Sequence, residues 1–335
     1  MISCSELGTY FPKCLTTFLF ICTATITVLN VTVFRGPGIV ILGIMLSASL
    51  FTYFKVFKTG PGSPLDFSAL HISDLTAADQ GLELPPKFLT ERSVTLKRNG
   101  RYRFCRICKV WKPDRCHHCS ACNRCILKMD HHCPWFAACV GFRNQRYFIQ
   151  FLLYSLAYSA LIFFWAGIDI LLWFRHETYK EETINLSLLV AWIFSVVVLI
   201  SMSFFSGYSL YMITANKTTI EMYESSEQQS RLSLFDEMHG TNTSANTNLF
   251  DLGSASANWQ EVMGCSLREW FLPIEMDVQT RNRYSLDEHG LYFNVNSDMQ
   301  HQVQESMNLQ EQLMRRLTPR PSYDGDRLRP IDAAV

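Results

Sequence analysis

Eight cysteines and four histidines crowd the 35-residue stretch from Cys105 to Cys139, in a chain of 335 residues that holds 12 cysteines in all. The stretch runs Cys105-x2-Cys108, Cys116-His117-His118-Cys119, Cys122, Cys125, Asp130-His131-His132-Cys133 and Cys139. Cysteines two residues apart let two thiolates grip one ion from a single tight turn, and zinc takes four nitrogen or sulfur ligands in a tetrahedron. One such pair says little. Two pairs with further Cys and His close behind point to metal. Two closed sites would use eight of the twelve candidates and leave four over, and spacing alone does not decide which four. A surplus thiol beside a histidine has chemistry of its own. The thiolate is the nucleophile, and a free thiol titrates near pH 8.5, so it needs a neighbouring imidazole, itself oriented by a carboxylate, to be activated.

The tetrad Asp130-His131-His132-Cys133, followed by Pro134-Trp135, resembles the DHHC cysteine-rich family of membrane protein S-acyltransferases, or palmitoyltransferases. The resemblance implies one structural zinc on Cys105, Cys108, His118 and Cys125 and a second on Cys119, Cys122, His132 and Cys139, interleaved along the chain. Cys116, His117, His131 and Cys133 are then spare. Cys133 is expected to attack the thioester of palmitoyl-CoA or another long-chain acyl-CoA, with His131 as base and acid and Asp130 orienting it. The acyl group would pass on to a cysteine of a membrane-associated protein. Consecutive residues cannot all face one spot on a regular helix or strand, so the tetrad is expected on an irregular loop pinned by His132 and Cys139. Cys116 and His117 are expected to be structural.

The likeness extends along most of the chain. Thr218-Thr219-Ile220-Glu221 resembles the family's TTxE element, although Thr with a nearby Glu also suits an ordinary helix start. Asn248-Leu249-Phe250-Asp251-Leu252-Gly253 and Asn258-Trp259-Gln260 resemble the family's C-terminal segment. Phe136-Ala137-Ala138 departs from it, because many members carry two asparagines there. The runs Gly60–Phe67, Lys112–Arg115 and Phe136–Phe148 look most like the fungal vacuolar member. That likeness implies the vacuole membrane, with the Golgi or another endomembrane as the alternative, and an armadillo-repeat vacuolar protein as acceptor.

Such a site must be held by something, and the composition says what. Hydrophobic residues make up 48% and charged residues 18%, against a usual charged share of about 25%. The 30 Lys+Arg balance the 30 Asp+Glu, so no basic field favours nucleic acid. Leu15–Phe34, Gly38–Phe54, Tyr147–Ile168 and Leu186–Ile213 carry no charged residue. A bilayer core about 30 Å thick needs about 20 apolar residues, so all four predict membrane spans, the second barely. Lys13 alone precedes the first, and no small-residue cleavage site follows, which argues against a cleaved signal peptide. Arg35-Gly36-Pro37-Gly38 is read as the tight turn of a helical hairpin.

The fold class expected is therefore an all-α polytopic membrane protein, with four transmembrane helices and a small zinc-stabilised domain between spans 2 and 3. Half of the basic residues, 15 of the 30 Lys and Arg, fall in the loop 58–146, while the opposite connections hold Arg35, Arg175 and Lys180. Positive loops stay cytoplasmic, which puts that loop and both termini in the cytosol, where cysteines remain reduced. The expected division is 1–13, a hairpin at 14–57, the loop 58–146 with its cysteine-rich core at about 103–146, spans at 147–216, and a tail at 217–335 whose family-like segment covers about 248–274. Asn185-Leu186-Ser187 fits a glycan acceptor but sits too close to the fourth span to expect its use. Asp169, at the lumenal end of the third span, is a functional candidate by default, although from there its carboxylate can reach the interface. Residues 224–247 read as a linker, and Val303, Met307, Leu313, Met314 and Leu317 recur at helical spacing. Two rivals stand beside the enzyme: a zinc adaptor without catalysis, and a transporter, for which paired intramembrane charges are missing.

Overall fold

The computed structural model describes residues 4–91, 93–97, 101–176, 183–224, 248–275 and 290–295. Most of the 224–247 linker and the whole 303–317 periodic stretch lie outside them. Among the described residues four helices are long and apolar enough to cross a membrane: span 1 (Cys4–Asn30), span 2 (Arg35–Thr59), span 3 (Gln145–Arg175) and span 4 (Leu186–Thr214). At 1.5 Å per residue even the 25-residue span 2 reaches about 37 Å, beyond the hydrocarbon core at one end or both. The turn between spans 1 and 2 lies earlier than the sequence suggests. It occupies 31–34, with Phe34 left-handed at φ 48°, and Pro37 sits inside the first turn of span 2. Proline is tolerated there because the first N–H groups of a helix have no partner to lose.

Small residues and buried hydroxyls fasten the spans. A Cβ on Gly38 would lie 2.3 Å from the Trp165 ring, and Trp165 Nε1 donates to Val33 O at 2.6 Å. The Thr23 and Tyr158 hydroxyls meet at 2.8 Å between spans 1 and 3, and Tyr158 also donates to Phe20 O. Asp169 accepts from the backbone N–H of Thr32 at 2.6 Å and from its hydroxyl at 3.0 Å, so it caps the turn between spans 1 and 2. Asn185 caps span 4 through Leu188 N and binds Asn30 through Nδ2.

The domain between spans 2 and 3 corrects the all-α expectation in detail. It contains three antiparallel two-stranded hairpins: Phe104–Cys105 with Val110–Trp111, His117–Cys119 with Arg124–Ile126, and His131–Cys133 with Ala138–Val140. Each reverses the chain within a few residues, which brings side chains distant in sequence to one point. The third hairpin is built into the membrane bundle. Cys133, Phe136 and Val140 share a buried cluster with Tyr53 and Val56 of span 2, Phe148 and Phe151 of span 3 and Ile213 of span 4. Asn144, wholly buried, donates to Val56 O and Cys139 O at 3.0 Å each and accepts from Gly141 N at 2.9 Å. The run Gly60–Phe67 lies along the second hairpin, with Ser63 Oγ donating to Cys125 O at 2.7 Å and Leu127 N to Gly62 O.

Candidate active site and metal centres

Two sets of four donors converge: Cys105, Cys108, His118 and Cys125, and Cys119, Cys122, His132 and Cys139, with the atoms of each set within 4.8 Å of one another. His118 Nδ1 lies 3.6, 3.3 and 3.9 Å from the sulfurs of Cys105, Cys108 and Cys125. His132 Nδ1 lies 3.7, 3.3 and 3.6 Å from those of Cys119, Cys122 and Cys139. A tetrahedral zinc with bonds of about 2.3 Å to sulfur and about 2.05 Å to nitrogen separates its nitrogen and sulfur ligands by about 3.6 Å. Both sets fit that ion. Four protein donors apiece leave no open position, so the chemistry zinc would supply here is structural.

The construction is the same twice. A Cys-x2-Cys turn gives two ligands, with Cys108 N approaching the Cys105 sulfur and Cys122 N the Cys119 sulfur. The other two are a cross-strand pair of the next hairpin, His118 opposite Cys125 and His132 opposite Cys139. Every ligand of the second set lies 14 residues after its counterpart in the first. The spacing continues once more. Lys109, Asn123 and Ala137, each 14 apart, all adopt left-handed φ, at 52°, 49° and 47°. Cys133 and Phe136 then stand where a third Cys-x2-Cys pair would be. This repeat was open to inspection in the sequence but hidden by interleaving, and it explains why Cys133 has no metal to serve: its unit lacks the other three donors.

The tetrad does not lie on an irregular loop. His131–Cys133 is a strand, paired in register with Ala138–Val140, and Asp130 extends the pairing through its N–H to Val140 O at 3.0 Å. Strand residues alternate between faces. His131 and Cys133 therefore share one face, while His132 points to the metal set on the other. Asp130 Oδ2 meets His131 Nδ1 at 2.7 Å, and its Oδ1 accepts from the N–H and hydroxyl of Thr219 at 2.8 and 3.2 Å. Burial pushes Asp130 up, but the bonds from His131 and Thr219 outweigh it and hold its carboxyl below the usual value. Burial likewise would lower His131, yet Asp130 and then Cys133 favour the imidazolium and raise it to about 9. Its Nε2 is buried without a hydrogen-bond partner among the described residues. Phe148 packs edge-on against the ring at 5.3 Å.

Cys116 is wholly buried beside Cys125, and His117 lies opposite Ile126 in the second hairpin; neither joins a donor set. Arg115 and Asn216 also shape the site. Arg115, whose side chain is fully buried, grips Glu221 with two bonds of 2.7 and 2.9 Å and Asn216 Oδ1 at 2.9 Å. Burial would raise the Glu221 carboxyl, but Arg115 holds it below its ordinary value. Thr218 and Glu221 also close a capping box, through Thr218 N to Glu221 Oε2 at 2.9 Å and Glu221 N to Thr218 Oγ1 at 3.3 Å. The element is thus both a helix start and the bracket for Asp130. Asn258 Nδ2 donates to Thr214 O at 2.8 Å and Asn216 Nδ2 to Phe250 O at 2.7 Å, which ties the C-terminal segment to the end of span 4.

A membrane bundle that clamps a thiol, an imidazole and a carboxylate between its helices and two four-donor sets has the parts of a membrane-embedded enzyme with an activated nucleophile. Comparison with known proteins gives the particular family. The family model of the DHHC palmitoyltransferases matches residues 98–226. The chain is 47% identical over 323 residues to palmitoyltransferase PFA3 of Saccharomyces cerevisiae, covering 96% of each. To palmitoyltransferase PFA3 of Candida glabrata it is 45% identical over 318 residues, 95% of this chain and 96% of that one. Palmitoyltransferase ZDHHC2 of Rattus norvegicus is 34% identical over 244 residues, 69% of this chain and 61% of that protein. The chain belongs to the DHHC palmitoyltransferase family and is an acyltransferase that palmitoylates cysteines from acyl-CoA.

Proposed function

We propose that Cys133 carries the acyl group in a covalent intermediate. The observation behind this reading is its position on one strand face with His131, outside both donor sets. In the first step the Cys133 sulfur attacks the carbonyl carbon of a long-chain acyl-CoA. The new C–S bond forms as the bond to CoA sulfur breaks, and the Cys133 proton passes through His131 to the leaving thiolate. In the second, an acceptor cysteine attacks the same carbon, its bond to Cys133 breaks, and the acceptor's proton returns through His131 to Cys133. Asp130 holds Nδ1, which leaves Nε2 to move the proton. Two zinc ions, one on each donor set, would fix His132 and Cys139 and hence the strand between them.

The orientation that suits this chemistry places the loop 58–146 and both termini in the cytosol, where acyl-CoA is found. The divisions at 14–57, 58–146, 147–216 and 217–335 follow from it. We assign the vacuole membrane as the site of action and an armadillo-repeat vacuolar protein as an acceptor, on the likeness of Gly60–Phe67 and Phe136–Phe148 to the vacuolar member. The deciding experiment incubates purified protein with radiolabelled palmitoyl-CoA. Wild type should acquire a hydroxylamine-sensitive label that acceptor chases off. Cys133→Ala should lose label and transfer while keeping two zinc ions. Full transfer by Cys133→Ala would refute the covalent route, and loss of a zinc ion in it would favour a scaffold.

A further inference from the structure

Beyond the helix Ala255–Met263, the C-terminal segment returns to the membrane bundle as a short helix, Leu267–Phe271, and a few irregular residues after it. Three rungs on span 3 hold this stretch. Arg146 and Tyr147 donate to Ile274 O. Gln150 Nε2 donates to the carbonyls of Glu269, Trp270 and Leu272 at 2.9, 3.1 and 3.0 Å. The Tyr154 hydroxyl donates to Phe271 O. Positions 146, 150 and 154 follow one another by one turn and share a face, so the ladder climbs span 3 with Phe271 at its top.

The ladder fixes depth. Tyr154 lies nine residues past the start of span 3, about 14 Å along it. Two polar marks stand towards the far side. Asp169, bonded to Thr32, is 15 residues on, and Arg175, which ends the span, is 21 residues on; at 1.5 Å each these are about 22 and about 31 Å. Against a hydrocarbon core about 30 Å thick, they bracket Phe271 between the near boundary of the core and about 8 Å inside it. Interfacial segments settle at such depths.

What faces outward there is apolar. Leu267 and Phe271, one turn apart, are 64% and 61% exposed, and Leu272 and Ile274 are exposed beside them. The acid of the short helix is turned away: Glu269 is buried and accepts from the N–H groups of Cys265 and Ser266. Trp270 packs inward against Trp259. Arg268 stays outside, on a side chain long enough to reach headgroups. In solution, water would satisfy the last carbonyls of a helix. Here side chains of span 3 take all four from Glu269 to Leu272, as a medium that offers the backbone no partner requires.

We propose that residues 267–274 are a further membrane contact of this chain, a segment that enters one leaflet without crossing it and meets phospholipid acyl chains through Leu267, Phe271, Leu272 and Ile274. The bilayer then holds one end of the C-terminal segment, while Asn258 fastens the other to the end of span 4.

The test uses the full chain in phosphatidylcholine nanodiscs, with p-benzoylphenylalanine replacing Phe271, Leu267 or, as a water-facing control, Leu82, which is 77% exposed in the loop between spans 2 and 3. After irradiation, intact mass should show a single phospholipid adduct at 267 and at 271, each in at least ten times the yield at 82. The two sites are separate variants, so one that fails to fold leaves the other to decide. Yields no higher than at 82 would overturn the proposal. Adducts formed mainly with a second copy, or with another part of this chain, would give the patch a protein occupant and overturn it equally.

Discussion

Ala137 shows how much a single departure can carry. Its φ of 47° places an alanine where the backbone is left-handed, a conformation that costs an L-residue with a Cβ roughly 1–2 kcal/mol and that asparagine tolerates better. The repeat holds Lys109 and Asn123 in the same conformation, so the turn is required by the hairpin and the residue must comply. Ala137→Gly and Ala137→Asn should each raise stability by up to about 1 kcal/mol, seen as a higher thermal midpoint of the detergent-solubilised protein. Equal midpoints for all three would show that the surrounding cluster absorbs the strain. The missing asparagines were visible in the sequence, but their consequence was not. A list of residues carries no φ, and the 14-residue recurrence that would have supplied it was masked by two ligand sets threaded through each other.

Among the elements, the hairpin of spans 1 and 2 makes one especially close approach to span 3. Gly38 lies under the Trp165 indole, whereas Gly43, one and a half turns further along the same helix, has no atom within 4 Å of an added Cβ. Gly38→Ala must displace the indole or its bond to Val33 O. Overpacking of this kind costs about 1–3 kcal/mol, so its thermal midpoint should fall clearly, while that of Gly43→Ala should stay within about a degree of wild type. Identical behaviour of the two would mean that the helices do not meet there. The spans themselves were legible, because twenty uncharged apolar residues have few other uses. The short strands were not. Two- and three-residue strands have no period to detect, and the tetrad was assigned to an irregular loop although strand alternation separates His131 and Cys133 from His132 more simply. Asp169 was open to a functional reading until its two bonds to Thr32 gave it a structural one.

At the level of the whole molecule, the domain is joined to the membrane bundle at both ends of its own chain and again by Arg115 reaching Glu221 beyond span 4. Removing one partner of a buried ion pair leaves the other charge uncompensated, at about 3–5 kcal/mol. Glu221→Ala should therefore lower the midpoint for unfolding of the domain and expose the Asp130–His131 pair to solvent exchange, with the helical signal of the spans preserved. Hydrogen exchange at Asp130–Cys133 is the measurement, and protection equal to wild type would show the bracket to be dispensable. The interleaved ligands also bear on biosynthesis. Cys125, which completes the first set, follows Cys119 and Cys122 of the second, so no cut between Cys119 and Cys125 leaves one set whole without splitting the other. A growing chain cannot finish the first ion site until the second has begun, nor the second until Cys139 has emerged, just ahead of span 3. The emerging domain must hold its thiols reduced and available until then, and capture of the two ions cannot be complete before the chain has passed Cys139.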